Sequence, residues 1–497
     1  MKKAWEVRAW RGKTRWILST LTAAVLAACG GGGGDSGHAT GLAASSALAQ
    51  RCVAPRSTDV QGTVTDENKW VQAWNNETYL WYREVIDRGP GAYTDPVTYF
   101  GTLRTTAKTA SNKDKDQFHF TYDTPTWVAL SQGGESFGYG FNISLLATRP
   151  PRKAVVAYTD PGTPAATNNI LRGAQILAVD GVDLVNDGTQ AGVNVINDGL
   201  FPTKKAPHTF RVLDLNSSTP RDVTLNADSL SLVPVQNVGT LPAPNQSVGY
   251  MQFNDHIATS EQKLIDAIAL LRNAHVTDLV LDMRYNGGGY LDIASELAYM
   301  IAGPTPTQGK TFEQLQFNDK NPFGYTLAQR STPFHTTAQG FSAPDGSALP
   351  YLGLNRVYVL AGGDTCSASE AVVNGLRGVG VNVVLVGDTT CGKPYGFYPQ
   401  DNCNTTYFTI QFQGVNQAGF GDYADGFAPT CPVSDDFTHQ LGDPAEARLS
   451  VALGHSKTGT CQPSVGRAQA LRADAATATS GHLVRSVLRE NRIYRSR

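Results

Sequence analysis

Three short stretches carry residues that could perform acyl transfer. The first is Asp364-Thr365-Cys366-Ser367-Ala368-Ser369-Glu370, in which a small hydroxyl residue opens an apolar helical pattern of Ala371, Val372, Val373 and Leu376. The second is Cys391-Gly392-Lys393-Pro394, a lysine in a glycine-containing loop soon after the β-branched run 381–386. The third is Asn286-Gly287-Gly288-Gly289, which follows the apolar run 278–283. A serine nucleophile needs a base, and a lysine serves only as the neutral amine, which requires partial removal from water. Backbone N–H groups must also face the oxygen that becomes charged. A helix start and a glycine loop both supply such donors. An isolated Ser-x-x-Glu is by default a capping box, with Ser367 as N-cap and Glu370 three residues on. Ser369, one step into the helix, reads as structural.

Something must bring these loops together. Val248–Phe253, Asp278–Arg284 and Arg356–Leu360 read as strands, and Ser260–Ala274 and Leu291–Ile301 as helices. That alternation predicts a mainly parallel sheet, whose C-terminal strand ends gather catalytic loops. Residues 303–355 are turn-rich and read as an excursion. Upstream, 118–235 has the texture of short strands and turns. Between Asn68 and Leu103, Trp70, Trp74, Tyr79 and Trp81 recur at helical spacing and read as one packed face. The fold class expected is α/β multidomain: a helical N-terminal region, a small β-rich domain and an α/β catalytic core.

Composition narrows the function. The formal net charge is −2, with 41 basic against 43 acidic residues. Nothing supplies the broad cationic surface that phosphate neutralisation needs, so nucleic acid is not expected as a partner. Lys2, Lys3, Arg8, Arg11, Lys13 and Arg15 precede a short apolar run, the pattern of an export signal. It closes on Leu26-Ala27-Ala28-Cys29, which resembles a bacterial lipobox. That resemblance implies a signal peptide over 1–28, lipid on Cys29, a membrane anchor through that lipid and a flexible linker over 29–66. Gly30 is not aspartate, so the expected address is the bacterial cell envelope, facing the periplasm from the outer membrane. The other six cysteines (Cys52, Cys366, Cys391, Cys403, Cys431 and Cys461) read as disulfides in an exported protein. Cys391 with Cys403 is a plausible local loop. Cys366 with Cys391 would tie the two chemical loops directly, and pairing either with Cys431 is also open. No metal-ligand spacing appears, so neither metal nor cofactor is expected. The basic stretch 461–497 reads as a mobile tail.

Within the β-rich stretch, Phe137-Gly138-Tyr139-Gly140-Phe141 is followed by Asp160-Pro161-Gly162-Thr163-Pro164-Ala165-Ala166 and then by Arg172-Gly173-Ala174-Gln175-Ile176-Leu177-Ala178-Val179-Asp180-Gly181. This order resembles a PDZ domain, which implies that Gly138, Tyr139, Gly140 and Phe141 form a loop receiving a peptide C-terminus. Gly-Asp-Thr-Cys-Ser-Ala-Ser-Glu, Val-Gly-Asp-Thr-Thr-Cys-Gly-Lys, Asp282–Gly289 and the late Asp443-Pro444 element resemble the carboxyl-terminal processing (tail-specific) serine protease family. The resemblance implies Ser367 as nucleophile and Lys393 as general base. It implies the backbone N–H groups of Ala368 and Gly288 (or Gly287) as oxyanion donors, and a protein or peptide with a C-terminal tail as substrate. It divides the chain into a helical region over 67–117, a PDZ-like domain over 118–235 and a protease domain over 236–460. The sequence departs where many relatives carry a glutamine four residues after the lysine: Phe397 stands there, with Gln400 further on. The alternatives are a non-catalytic peptide-binding lipoprotein and a Ser/Lys hydrolase of a non-peptide substrate. His256 and His439 sit in no recognisable triad motif and read as structural.

Overall fold

The computed structural model describes residues 42–462 and the short strands His482–Val484 and Arg492–Ile493. Cys29 and the segment before it lie outside the described residues. Among the described residues no helix is long and apolar enough to cross a membrane.

Helix α1 (Val64–Thr78) starts at a capping box: Asp66 N–H donates to Thr63 Oγ1 at 3.2 Å, and Thr63 N–H donates to Asp66 Oδ2 at 2.9 Å. Its aromatic stripe is core, as the spacing predicts. Trp70 and Trp74 stack with centroids 5.4 Å apart and pack with Tyr99, Phe100 and Tyr407.

The β-rich part is a sheet of β1 (Phe141–Ala147), β2 (Lys153–Thr159), β3 (Gln175–Val179), β4 (Pro207–Leu213) and β5 (Arg221–Asn226), in the order β5-β4-β3-β2-β1 and antiparallel throughout. It encloses its own apolar cluster of Tyr139, Ile143, Val156, Ile176, Phe210 and Val212. Phe118 and Trp127, which precede it, pack instead in the larger core of the chain.

That larger core surrounds a second sheet. Strand β6 (Val235–Thr240) is an antiparallel edge on β7 (Val248–Phe253), and the other neighbours are parallel: β7 to β8 (Asp278–Asp282), and onward past the short β9 (Gly289–Tyr290), which stands outside this sheet, to β10 (Arg356–Ala361), β11 (Asn382–Gly387) and a last short strand at Cys431–Pro432. Parallel strands covered on both faces read as continuous apolar runs. The period of two then sorts the side chains. Leu279, Leu281, Val357, Val359 and Leu385 face the cluster that contains α2 (Ser260–Asn273), α3 (Leu291–Ala302) and α4 (Ala368–Gly378). Val280, Tyr358, Leu360, Val384 and Val386 face α5 (Ala447–Thr458). Mixed α/β architecture with a mainly parallel sheet is therefore the fold. The excursion 303–355 is less irregular than its sequence suggests: Thr311–Phe317 pairs with Phe412–Val415, which also pairs with β12 (Tyr395–Gly396).

Three disulfides form, Cys52–Cys403, Cys366–Cys391 and Cys431–Cys461. The Cys391–Cys403 loop expected from proximity in sequence is not made, because Cys403 lies in the turn that meets the N-terminal region and Cys391 lies beside α4. The basic stretch is not wholly a loose tail either. Cys461 is bonded to the core, His482–Val484 forms β13 on the free edge of β1, and Arg492–Ile493 forms β14 on β9.

Candidate active site

The loops after β8, β10 and β11 converge at the start of α4. Ser367 precedes that helix with φ +61° and ψ −112°, a conformation that costs a residue with a Cβ about 1–3 kcal/mol. Its N–H donates to Glu370 Oε2 at 2.9 Å, and its carbonyl accepts from Ala371 N–H at 2.9 Å. The hydroxyl is fully buried and has no hydrogen-bond partner. An N-cap serine accepts a backbone N–H through its oxygen. Ser367 does not, so only the Glu370 half of the capping box is formed and the Ser367 oxygen is left for another use. Ser369 is structural, as its position predicts: its hydroxyl donates to Asn286 O at 3.0 Å.

Glu370 does more than cap. Oε1 accepts Thr390 Oγ1–H at 2.6 Å and Gly392 N–H at 2.9 Å, while Oε2 accepts both Ser367 N–H and Lys393 N–H, the latter at 2.8 Å. Four donors on two oxygens are what an ionised carboxylate accepts. Burial pushes the Glu370 pKa up, and the hydrogen bonds from Thr390, Lys393, Ser367 and Gly392 oppose that rise. The serine and lysine loops are thus fastened to one side chain, and the Cys366–Cys391 disulfide fastens them again covalently.

Lys393 is fully buried. Its Nζ lies 4.3 Å from the Phe118 ring centroid and 4.7 Å from that of Phe397. Phe397, in the place where a glutamine stands in many relatives, therefore meets the amine with a ring face. Gln400 does not reach the site: it is exposed, and its amide donates to Asp401 O at 3.1 Å. Ser367 Oγ makes no hydrogen bond to Lys393, so the two side chains are positioned by shared anchors rather than by a bond to each other.

Asn286 joins the glycine loop to this centre. Its carbonyl accepts Cys366 N–H at 3.1 Å as well as the Ser369 hydroxyl. Its Nδ2 donates to Phe253 O at 2.9 Å, which fixes the amide so that Oδ1 is the acceptor for Gly288 N–H at 3.0 Å. His256 Nδ1 lies 3.0 Å from the same oxygen and must therefore donate, leaving its buried Nε2 without a partner. Ala368 N–H is the first of its helix, where no intrahelical acceptor exists. At Gly289 a Cβ would stand 2.2 Å from His256 O, so this close approach requires glycine.

Burial pushes the His256 pKa down to about 3, against the raising effect of the Asn286 and Gly288 hydrogen bonds. An unfolded chain protonates this histidine as pH falls through about 6.5. Unfolding between those values therefore binds a proton, and stability falls as pH drops across that window. The expected result is a urea-unfolding free energy that declines from pH 6.5 towards pH 4 in the wild type and declines less steeply, by about one proton, in His256→Phe. Identical slopes for the two proteins would refute a buried neutral His256.

A second group of residues ties the β-rich sheet to the glycine loop. Arg172 Nη1 donates to Tyr285 Oη at 2.6 Å, Nη2 donates to Asp435 Oδ1 at 2.7 Å, and Nε donates to His439 O at 3.0 Å. Tyr158 stacks on Tyr285 at 5.6 Å. Arg284, one residue before Tyr285, is wholly buried. It donates bidentately to Glu446 at 2.7 and 3.0 Å, to Asp282 Oδ1 at 2.9 Å and to Asp435 Oδ1 at 2.8 Å. Burial alone would raise the Asp435 pKa, but Arg172 and Arg284 hold it far below the usual carboxylate range. His439 is half-buried and its Nδ1 lies 2.6 Å from Asp436 Oδ2.

The loop Gly138–Phe141 lies between a short strand and β1. A Cβ on Gly140, whose φ is +91°, would stand 2.2 Å from Thr163 Oγ1. Tyr139 is buried and its hydroxyl donates to Gly199 O at 2.8 Å, so its ring belongs to the sheet's core rather than to a ligand surface. Three Cys-containing clusters with His or Glu occur among the described residues, but in each the two sulfurs are joined as a disulfide and are not thiolate ligands. Glu370, Asn286 and Phe118 are site residues that the motifs alone did not single out. The Ser-x-x-Glu spacing was the signal for Glu370, and it suggested only a cap.

Residues 247–404 match peptidase family S41. A carboxyl-terminal-processing protease of Picosynechococcus sp. is 26% identical over 267 residues, which are 54% of this chain and 56% of that protein. The counterpart from Synechocystis sp. is also 26% identical over 267 residues, 54% of this chain and 55% of that one. The chain thus spans about half the length of these curated relatives. The solved chain named "Putative S41 protease" from Bacteroides fragilis NCTC 9343 superposes with a TM-score of 0.62 at 23% identity, covering 79% of this chain and 97% of that chain, and so shares the fold. Ser367, Lys393, Glu370 and the glycine loop all lie inside the segment that matches peptidase family S41.

Proposed function

We propose that this chain is a serine endopeptidase of the carboxyl-terminal-processing type, cleaving exported proteins near their C-termini. Ser367 attacks the scissile carbonyl as neutral Lys393 takes its proton; the C–N bond then breaks while Lys393 returns that proton to the leaving amine, and water hydrolyses the acyl-enzyme ester to release the acid and free Ser367. The observation that carries this reading is the buried Ser367 hydroxyl, held at a positive φ without a hydrogen-bond partner while its N–H and that of Lys393 share Glu370 Oε2. Ala368 N–H and Gly288 N–H are the proposed oxyanion donors. Gly288 N–H is held by Asn286 Oδ1 in this conformation, so substrate binding must turn that peptide towards the serine. The PDZ-like loop Gly138–Phe141 receives the substrate tail, through its backbone and Phe141, and Arg172 connects that sheet to Tyr285.

Three disulfides suit an oxidising compartment. With the lipobox at Cys29 they support a lipid-anchored, periplasm-facing envelope enzyme. The test is covalent labelling of the purified protein with a serine-reactive phosphonate. One equivalent is expected on Ser367, with no labelling of Ser367→Ala and at least about 100-fold slower labelling of Lys393→Met. Full labelling of Ser367→Ala would move the nucleophile elsewhere. An inert wild-type protein would favour the peptide-binding alternative, in which Phe397 marks a lost dyad.

A further inference from the structure

The last two described strands lie on two backbone edges that an extended polypeptide substrate would need. Strand β13 pairs antiparallel with β1 in the register His482–Leu145, Leu483–Ser144 and Val484–Ile143. Its chain therefore advances towards Phe141, the end of the Gly138–Phe141 loop. That is the direction in which a peptide adds a strand beside a loop built to receive its terminus. Strand β14 pairs parallel with β9, in the register Arg492–Gly289 and Ile493–Tyr290. Gly289 directly follows Gly288, the proposed oxyanion donor. The same strand also lies against β12, which begins two residues after Lys393. Val484 and Arg492, eight positions apart in sequence, thus lie on the free edge of the β-rich sheet and beside the glycine loop. An extended chain reaches at most about 28 Å from Val484 to Arg492, so a single polypeptide of modest length spans both edges.

Exposed strand edges recruit other strands unless something covers them. Here the cover for both edges comes from one segment of the same chain. At Val484 the segment does not end but continues into Arg485, so it brings no terminal carboxylate to the loop at that point. A substrate with a free carboxylate there makes charge-assisted bonds to backbone N–H groups that an internal segment lacks.

We propose that the β1 edge and the β9 edge are two strand-adding subsites of one polypeptide track, and that His482–Val484 and Arg492–Ile493 of this chain occupy them as a displaceable intramolecular competitor. This rests on the reading of the chain as a peptidase only in naming the track's substrate, because occupancy can be measured without catalysis.

The experiment uses a fluorescent synthetic peptide of residues 478–495 and fluorescence anisotropy. It compares the full chain, a variant ending at Gln462, and a full-length Val484→Pro/Ile493→Pro variant that loses strand N–H groups without a deletion. Both altered proteins are expected to bind the peptide at least 10-fold more tightly than the full chain, whose edges are already filled. Ser144→Pro in the shortened protein is expected to weaken that binding at least 10-fold. An unlabelled peptide ending in a free carboxylate after an apolar residue should displace the probe. Equal affinity for all three proteins, or no binding to either altered protein, would overturn the proposal. Tight binding by proteins that no phosphonate labels would uphold this occupancy while removing the peptidase reading.

Discussion

Glu370→Gln is expected to lower kcat/KM by at least about 100-fold, mostly through kcat, and to destabilise the fold by about 2–4 kcal/mol. The reasoning is geometric. Each Glu370 oxygen accepts two donors, and three of the four are backbone N–H groups of the loops that carry Ser367 and Lys393. An amide can offer only one oxygen. If its NH2 takes the Oε2 place, it meets the Ser367 and Lys393 N–H groups head on. If it takes the Oε1 place, it meets Gly392 N–H. Either way a buried N–H loses its acceptor, at about 1–3 kcal/mol per group. The Cys366–Cys391 bond keeps the loops adjacent, so KM should move less than kcat. Steady-state kinetics with a peptide substrate and urea unfolding check the two halves separately. A wild-type kcat in the Glu370→Gln protein would reduce Glu370 to a dispensable cap.

The second large effect is expected at Arg284. Arg284→Met should cost about 3–5 kcal/mol, read as a lower urea midpoint, because it leaves Asp282 and Glu446 without the cation that their burial requires and Asp435 with Arg172 in place of two arginines. Arg284→Lys keeps the charge but not the fork that holds Glu446 at two points, and should fall between the wild type and Arg284→Met. The damage should spread to labelling of Ser367, since Arg284 stands two residues before Asn286, whose carbonyl holds Cys366 N–H. Loss of less than about 1 kcal/mol would mean that the three carboxylates find other partners or protons.

Much of this site was legible before the fold. Ser367, Lys393 and the glycine loop stand out because parallel strands end at regular intervals and their ends are where glycine, serine and lysine interrupt apolar runs. What was not legible depends on chain return. Glu370 reads as a cap at three-residue range, and its role appears only when residues 390–393 come back to it. Phe397 reads as a missing glutamine, whereas in the fold its ring faces the amine together with Phe118, a residue 279 positions earlier in the chain. The strands at 482–484 and 492–493 have too few residues to show a period, and they exist only because edges elsewhere in the chain pair with them. Disulfide partners carry no sequence signal of their own: Cys52 and Cys403 meet across a separation of 351 residues.

That long bond makes the folded chain a covalent ring. Everything from Cys52 to Cys403 lies inside it, including strands β1 to β5 of the β-rich sheet, Ser367 and Lys393. A single cut anywhere in the ring opens it without releasing a fragment. The nicked chain keeps both the Ser367 and the Lys393 loop, which the inner Cys366–Cys391 bond joins a second time. Molecules that share a compartment with proteases can thus carry clipped surface loops and still migrate as one chain until a reductant divides them.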